Sequence, residues 1–270
     1  MKSKGIAIPY VVWMAIFVAA PLILVVIYAF SAKDGGFTVS NFTTMTQYLG
    51  VFGRSFLLAL IATLICILIG YPLAYLLARE GPGVRRISMM LIMLPMWMNY
   101  LLRTYSWMFL LERNGLINSL LKSMGLPALN IINTPAAVVL GMVYNFLPFM
   151  VLPIFSVIEK IDIRVIEAAQ DLGANNATVF RRVIFPLSLP GVLSGITMVF
   201  IPSVSTFVIS RLLGGGKTLL LGDLIELQFL GGAYNPQLGS AISLVMMIIV
   251  VISMAVMNRF GEGEEGAVLL

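Results

Sequence analysis

The sequence predicts an all-α integral membrane protein of six transmembrane helices, with its N- and C-terminal ends on the cytoplasmic side, and three observations predict it. The first is composition. Of 270 residues 60% are hydrophobic, and only 17 Lys and Arg with 12 Asp and Glu carry charge, where the roughly 25% charged content of a soluble domain would call for about 67. A mean hydropathy of +1.00 makes the bilayer the solvent for much of the chain. The second is length: about 20 apolar residues cross a hydrocarbon core, and the windows 7–30, 55–78, 88–110, 136–158, 187–209 and 238–257 meet it. Five contain no charge and the third only Arg103. Hydrocarbon offers no partner to a free N–H or C=O, so runs of this length are helices. The third is charge segregation. Ten of the 17 basic residues fall in the segments that an N-in topology puts inside: Lys2, Lys4, Arg79, Arg85, Arg86, Lys160, Arg164, Arg181, Arg182 and Arg259. The short 79–87 turn, with three Arg, is the strongest local vote for N-in, C-in. The net charge of +5 is thus a topology signal, with no nucleic-acid partner implied. With no histidine and one cysteine, Cys66, disulfides, Cys/His zinc sites and His-based acid–base chemistry are excluded. No catalytic residue and no metal site is expected.

Taken in order, the first window resembles a signal peptide at its start, but its apolar run continues past Ala19, Ala20 and Pro21 to Phe30. That exceeds an h-region, which makes it an uncleaved helix. Later spans are punctuated by Gly70 and Pro72, Pro148 and Pro153, and Pro190 and Pro202. Proline removes a backbone donor and kinks a helix, which either opens a central cavity or is ordinary membrane-helix usage. Gly191 and Gly195 form a G-x-x-x-G pair that permits close helix approach. Between the third and fourth spans, Leu116, Ile117, Leu120 and Leu121 make the apolar stripe of a short outer helix, with Gly125 as its C-cap and Pro127 beyond. Thr134 and Pro135 read as N-cap and N1 of the fourth span. Residues 1–260 thus form a single transmembrane domain, and the polar tail 261–270, with Glu262, Glu264 and Glu265, is too polar to pack.

The largest inside loop, 159–186, carries its own pattern. Ile161, Val165, Ala168 and Leu172 share one helix face, Gly173 stops that helix, and Asn175, Asn176 or Thr178 caps a second one through Val179, Val183 and Ile184 into Pro186. Such an elbow suits either docking into another protein's groove or lying on lipid headgroups.

The stretch Glu167-Ala168-Ala169-x3-Gly173-x9-Val183-x-Phe185-Pro186 resembles the E-A-A loop of the integral-membrane subunits of ATP-binding-cassette importers. That pattern ends in Ile-x-Leu-Pro, so Val183 and Phe185 depart from it while staying apolar. The resemblance implies a type I importer (MetI-like) permease fold in a bacterial plasma membrane. Glu167, Ala168, Ala169, Gly173, Val183 and Pro186 would form the coupling helix that a cytoplasmic ATPase grips. It further implies a second homologous permease, two copies of the ATPase, and an extracytoplasmic binding protein. ATP and magnesium would then be used by the partner, with no cofactor bound to this chain. Leu102-Arg103-Thr104-Tyr105-Ser106-Trp107-Met108, Arg113-Asn114-Gly115-Leu116-Ile117-Asn118, Thr206-Phe207-Val208, Leu212-Leu213-Gly214-Gly215-Gly216-Lys217 and Gly222-Asp223-Leu224-Ile225-Glu226 resemble the spermidine/putrescine permease group. Importers for iron, another organic cation or other small solutes share parts of these blocks and stand as the alternative substrates.

Gly216-Lys217-Thr218 imitates the end of a P-loop, but Arg211 stands where the first glycine belongs and no strand precedes it. For a flexible polycation, carboxylates and aromatic faces are the expected contacts. Trp97, Tyr100, Tyr105 and Trp107 supply faces, or act as interfacial anchors. Asp223 and Glu226, three residues apart, are the only acids between the fifth and sixth spans. Their alternative is a solvated face or an ion pair with Lys217. Asn145, midway along the fourth span, bonds a passing ammonium or bridges two helices. Arg103 is expected to snorkel to the outer headgroups or meet a docked binding protein. An ATPase-independent secondary transporter is the competing class, but it usually needs ionisable groups at mid-membrane, and five spans have none. A membrane enzyme finds no convergent catalytic set.

Overall fold

The structure, a computed structural model, describes residues 8–265. Lys2, Lys4 and residues 266–270 of the expected tail lie outside the described residues. Eleven helices follow one another: α1 (Ile8–Ala29), α2 (Ser40–Arg79), α3 (Pro82–Trp97), α4 (Tyr100–Leu111), α5 (Leu116–Ser123), α6 (Pro135–Ile158), α7 (Ile163–Asp171), α8 (Asn176–Ser205), α9 (Val208–Leu213), α10 (Leu221–Phe229) and α11 (Pro236–Glu265). Five of these, α1, α2, α6, α8 and α11, are long and apolar enough to cross a membrane.

Two proline-containing helices, α1 and α8, stay continuous by the same device. Proline cannot donate, and its ring crowds the carbonyl four residues back. In α1 the turn before Pro21 widens to a π-helix over Ala15–Ala19, and Ala20 N–H bonds to Ala15 O, five residues back. In α8 the turn before Pro186 does the same over Phe180–Ile184, with Phe185 N–H on Phe180 O. The helix widens instead of breaking.

The centre of the molecule is the packing of α2, α6 and α8 on one another. Ala62, Cys66 and Ala74 of α2 meet Met142, Met150, Val151 and Ile154 of α6 and Val192 and Val199 of α8 in one buried cluster. The glycine pair sets its spacing: a Cβ on Gly191 would lie 2.8 Å from Pro153 O, and one on Gly195 2.7 Å from Met150 Sδ. A second cluster joins Phe52 and Ala59 of α2, Val204 of α8, Leu221 and Leu224 of α10, and Leu238 and Ile242 of α11. Helix α1 packs on α11 and leaves nearly all its apolar side chains uncovered, as a lipid-facing helix should.

Three expectations are corrected. The window 88–110 is not one helix: α3 ends at Trp97, Met98 is extended (φ −77°, ψ 148°), and Asn99 starts α4. Pro95 weakens the last turn of α3, and the Asn99 carboxamide accepts from Leu101 N–H at 2.9 Å and Leu102 N–H at 3.3 Å, which makes it a strong N-cap in mid-span. The window 187–209 likewise ends early, at Ser205, because Thr206 is extended (φ −65°, ψ 140°) and α9 begins after Phe207. At the C-terminal end, α11 carries its helix on through Glu265, beyond the expected start of the polar tail, since extending an existing helix needs no new nucleus and Glu is a good helix former. The caps at the start of α6 are as expected, with Thr134 Oγ1 accepting from Ala137 N–H at 3.4 Å. The outer helix is α5, closed by Gly125 at φ +72°. Only part of its stripe turns inward: Ile117 packs on the core and Leu121 is half-buried, while Leu116 and Leu120 stay exposed.

Candidate functional site: the elbow and the outer junction

The loop after α6 folds as a helical elbow. Asp162 caps α7 by accepting from Arg164 N–H at 3.0 Å. Gly173, at φ +86°, supplies the left-handed turn that an L side chain resists. Asn175 then caps α8, accepting from Thr178 N–H at 2.8 Å. Ile166 and Ala169 of α7 pack down on the core. Val165, Ala168 and Leu172 point away from it, with Leu172 90% exposed. Glu167 lines a cavity of about 570 Å³ beneath the elbow, together with Arg79, Arg85, Glu159 and Gln170. Arg85 and Glu159 form an ion pair there, tying the start of α3 to the end of α6. Val183 and Pro186 are half-buried in the first turns of α8, away from the tip of the elbow.

The other end of α6, a 24-residue helix, meets the two broken spans. Tyr100 Oη and Thr206 Oγ1, one from each break, lie 3.2 Å apart. Arg103 is folded in at 7% exposure, contrary to the expected snorkelling. Its Nη1 donates to Pro95 O at 2.8 Å, and its guanidinium carbon sits 5.9 Å from the Tyr100 ring centre and 5.8 Å from that of Tyr144. The chain break brings them together: Pro95 O accepts from Met98 N–H at 3.2 Å and keeps a second lone pair, which Arg103, one turn into α4, reaches. Trp107 packs edge-on against Tyr144 at 5.1 Å. Tyr100 and Tyr144 therefore flank one cation, with Trp107 packed behind Tyr144, whereas Trp97, 78% exposed, and Tyr105 face outward. Asn145 is 1% exposed. It donates to Gly141 O of its own helix at 2.8 Å, and its Oδ1 has no partner in the described residues.

Asp223 and Glu226 share one face of α10 but differ in environment. Asp223 is 7% exposed, and its carboxylate caps its own helix by accepting from Leu220 N–H at 2.9 Å. Burial pushes its carboxyl above the usual range, while Ser210 and the Leu220 N–H pull it partly back. Glu226 accepts from Arg211 at 2.7 Å; Arg211 takes the place that Lys217 was expected to fill. Both acids line a cavity of about 260 Å³ with Ser210, Arg211 and Thr218. Tyr144 and Arg211 are the site residues that sequence reasoning missed. Tyr144 had one available signal, its place beside Asn145.

An all-helical bundle with a capped elbow between two central helices defines a transporter's membrane subunit, and the chain belongs to the family of binding-protein-dependent transport system inner membrane components, whose model matches residues 67–262. Among characterised relatives, it is 39% identical over 257 residues to the spermidine/putrescine transport system permease protein PotB of Haemophilus influenzae, covering 92% of this chain and 90% of that protein. The PotB of Escherichia coli is 38% identical, with 88% and 90% covered. A solved bacterial ABC transporter that imports the acidic polysaccharide alginate has the same fold, with a TM-score of 0.77 at 19% identity over 96% of this chain and 94% of its own. The MetNI methionine transporter, at a TM-score of 0.62 and 18% identity, covers 82% of this chain and 97% of its own. The chain is thus a multi-pass protein of a bacterial inner membrane.

Proposed function

We propose that this chain is a permease subunit of an ATP-driven polyamine importer of the spermidine/putrescine class. It forms one half of the translocation pathway and couples to a cytoplasmic ATPase through α7. The 39% identity to a spermidine/putrescine permease over nearly the full chain carries the substrate reading. The uncovered Val165, Ala168 and Leu172 supply what an ATPase groove would bury. A helix with an apolar stripe left in water is costly unless a partner covers it. The capped elbow makes it a lever: motion of α7 passes to the core through Ile166 and Ala169, and to α8 through the short turn at Gly173. ATP and magnesium belong to the partner. The full assembly holds a second permease, two ATPases and an extracytoplasmic binding protein; one solved structure of the same fold is an alginate transporter in complex with its periplasmic protein. At the far end, Tyr100, Trp107, Tyr144, Asp223 and Glu226 offer the aromatic faces and carboxylates that ammonium groups need. Trp97, Tyr105 and Asn145 lie outside that gathering and act as lipid anchors and as a helix-packing group.

The test is to reconstitute the co-purified complex in liposomes and compare its ATPase rate with spermidine-loaded binding protein against iron-, sugar- and amino-acid-loaded ones. Selective stimulation by the spermidine form is expected. An associated ATPase without that selectivity would keep the importer and remove the polyamine; no associated ATPase would overturn the coupling role as well.

A further inference from the structure

The features suited to binding ammonium groups at the outer junction already hold cations of the chain's own. The faces of Tyr100 and Tyr144 are covered by Arg103 at 5.9 and 5.8 Å. The Glu226 carboxylate is covered by Arg211 at 2.7 Å. The two places are linked through contacts: Tyr100 reaches Thr206 at 3.2 Å, and Gly222, next to Asp223, packs so tightly on Thr206 that a Cβ would lie 2.7 Å from its carbonyl oxygen.

We infer that Arg103 and Arg211 are resident cations, exchanged for the ammonium groups of the substrate as it passes, and that they thereby select for molecules carrying two or more such groups. The inference rests on the polyamine reading. Neither arginine is held in a way that forbids exchange. Arg103 is buried, and among the described residues no carboxylate lies beside it, its Nε has no partner, and the Pro95 carbonyl is the hydrogen-bond acceptor it reaches. A guanidinium has five donors and is comfortable only when most are used. Arg211 is the opposite case, paired but with a largely exposed side chain, so water can receive it. The exchange at each place replaces one cation by another and gains little. A monoamine that displaces one arginine therefore has no surplus to bind with. A polyamine that engages both places gains the second contact at high effective concentration. Selection against the wrong ligand thus comes from a competitor built into the site, a form of specificity by penalty.

The experiment uses the full reconstituted complex with its spermidine-loaded binding protein, and reads how butylamine, a monocation, inhibits spermidine uptake. Butylamine is first shown not to displace spermidine from the binding protein. Wild type should resist inhibition, whereas Arg211→Gln, which leaves Glu226 open, should be inhibited at roughly tenfold lower butylamine. Arg211→Lys should behave as wild type. Arg103→Gln should shift inhibition in the same direction, and where that variant fails to assemble, Arg211→Gln decides alone. Unchanged butylamine sensitivity in Arg211→Gln, with normal wild-type spermidine uptake, would overturn the exchange and leave the polyamine reading standing. A wild-type complex that takes up no spermidine would overturn both.

Discussion

The elbow after α6 and the junction between the two broken spans are built by opposite means. At the elbow every turn is specified within a few residues: Asp162 caps α7, Gly173 reverses the chain and Asn175 caps α8. Its caps and turn are local, Ile166 and Ala169 seat it on the core, and Val165, Ala168 and Leu172 stay uncovered. At the outer junction the hydrogen bonds and ion pairs join residues distant in sequence: Tyr100 with Thr206, Arg211 with Glu226, and Leu221 N–H with Ser55 at 2.8 Å. Local construction suits the lever role proposed for the elbow. Long-range construction suits a junction whose contacts must be remade during transport.

That contrast can be broken at four points, from the largest effect to the smallest. Gly173→Pro should abolish uptake, by more than about tenfold, while the chain still inserts, because proline's fixed φ near −65° cannot take the +86° that the turn requires. Glu167→Lys should uncouple in the same sense. ATPase and uptake assays on membranes of equal permease content check both, and normal uptake would remove α7 from coupling. Next, Asp223→Asn with Glu226→Gln should weaken polyamine uptake by roughly fivefold to tenfold, the loss of about 1–1.4 kcal/mol of charge-assisted contact. Unchanged uptake kinetics would return the pair to a structural role.

The third is a pH effect whose sign follows from burial. The folded Asp223 carboxyl is raised, so the folded state binds its proton more tightly than the unfolded chain does. Its contribution to stability is therefore present at low pH and lost as pH rises through the raised value. Uptake runs the other way, since substrate needs the carboxylate. Apparent affinity should fall on acidification at a pH above the ordinary Asp value of about 4, and Asp223→Asn should flatten that step. The same variant should keep or raise the thermal midpoint at neutral pH, because a buried charge is removed and the amide oxygen still accepts from Leu220 N–H. The smallest effect belongs to Asn175→Ala. It removes one helix cap worth about 1 kcal/mol, and it should lower uptake by less than twofold while hydrogen exchange at Thr178 speeds up measurably.

The amino-acid pattern determined much of this protein unaided. Apolar runs located the long helices because hydrocarbon tolerates no free backbone polar group. Gly125, Thr134, Gly173 and Asn175 marked turns and caps because those are decided by neighbours in sequence. The third span breaks at a local cap that window hydropathy overlooks, and tertiary structure alone decided what the charges do there. Hydropathy sums over a window, and in 88–110 it does not register one Asn99 capping a new helix or one Arg103 turning back to the Pro95 carbonyl. Nor does sequence spacing place Arg211 on Glu226 instead of Lys217, or Tyr144 beside Arg103. Those pairings come from helices brought together in three dimensions, and a side chain's partner is fixed only once its helix has a neighbour.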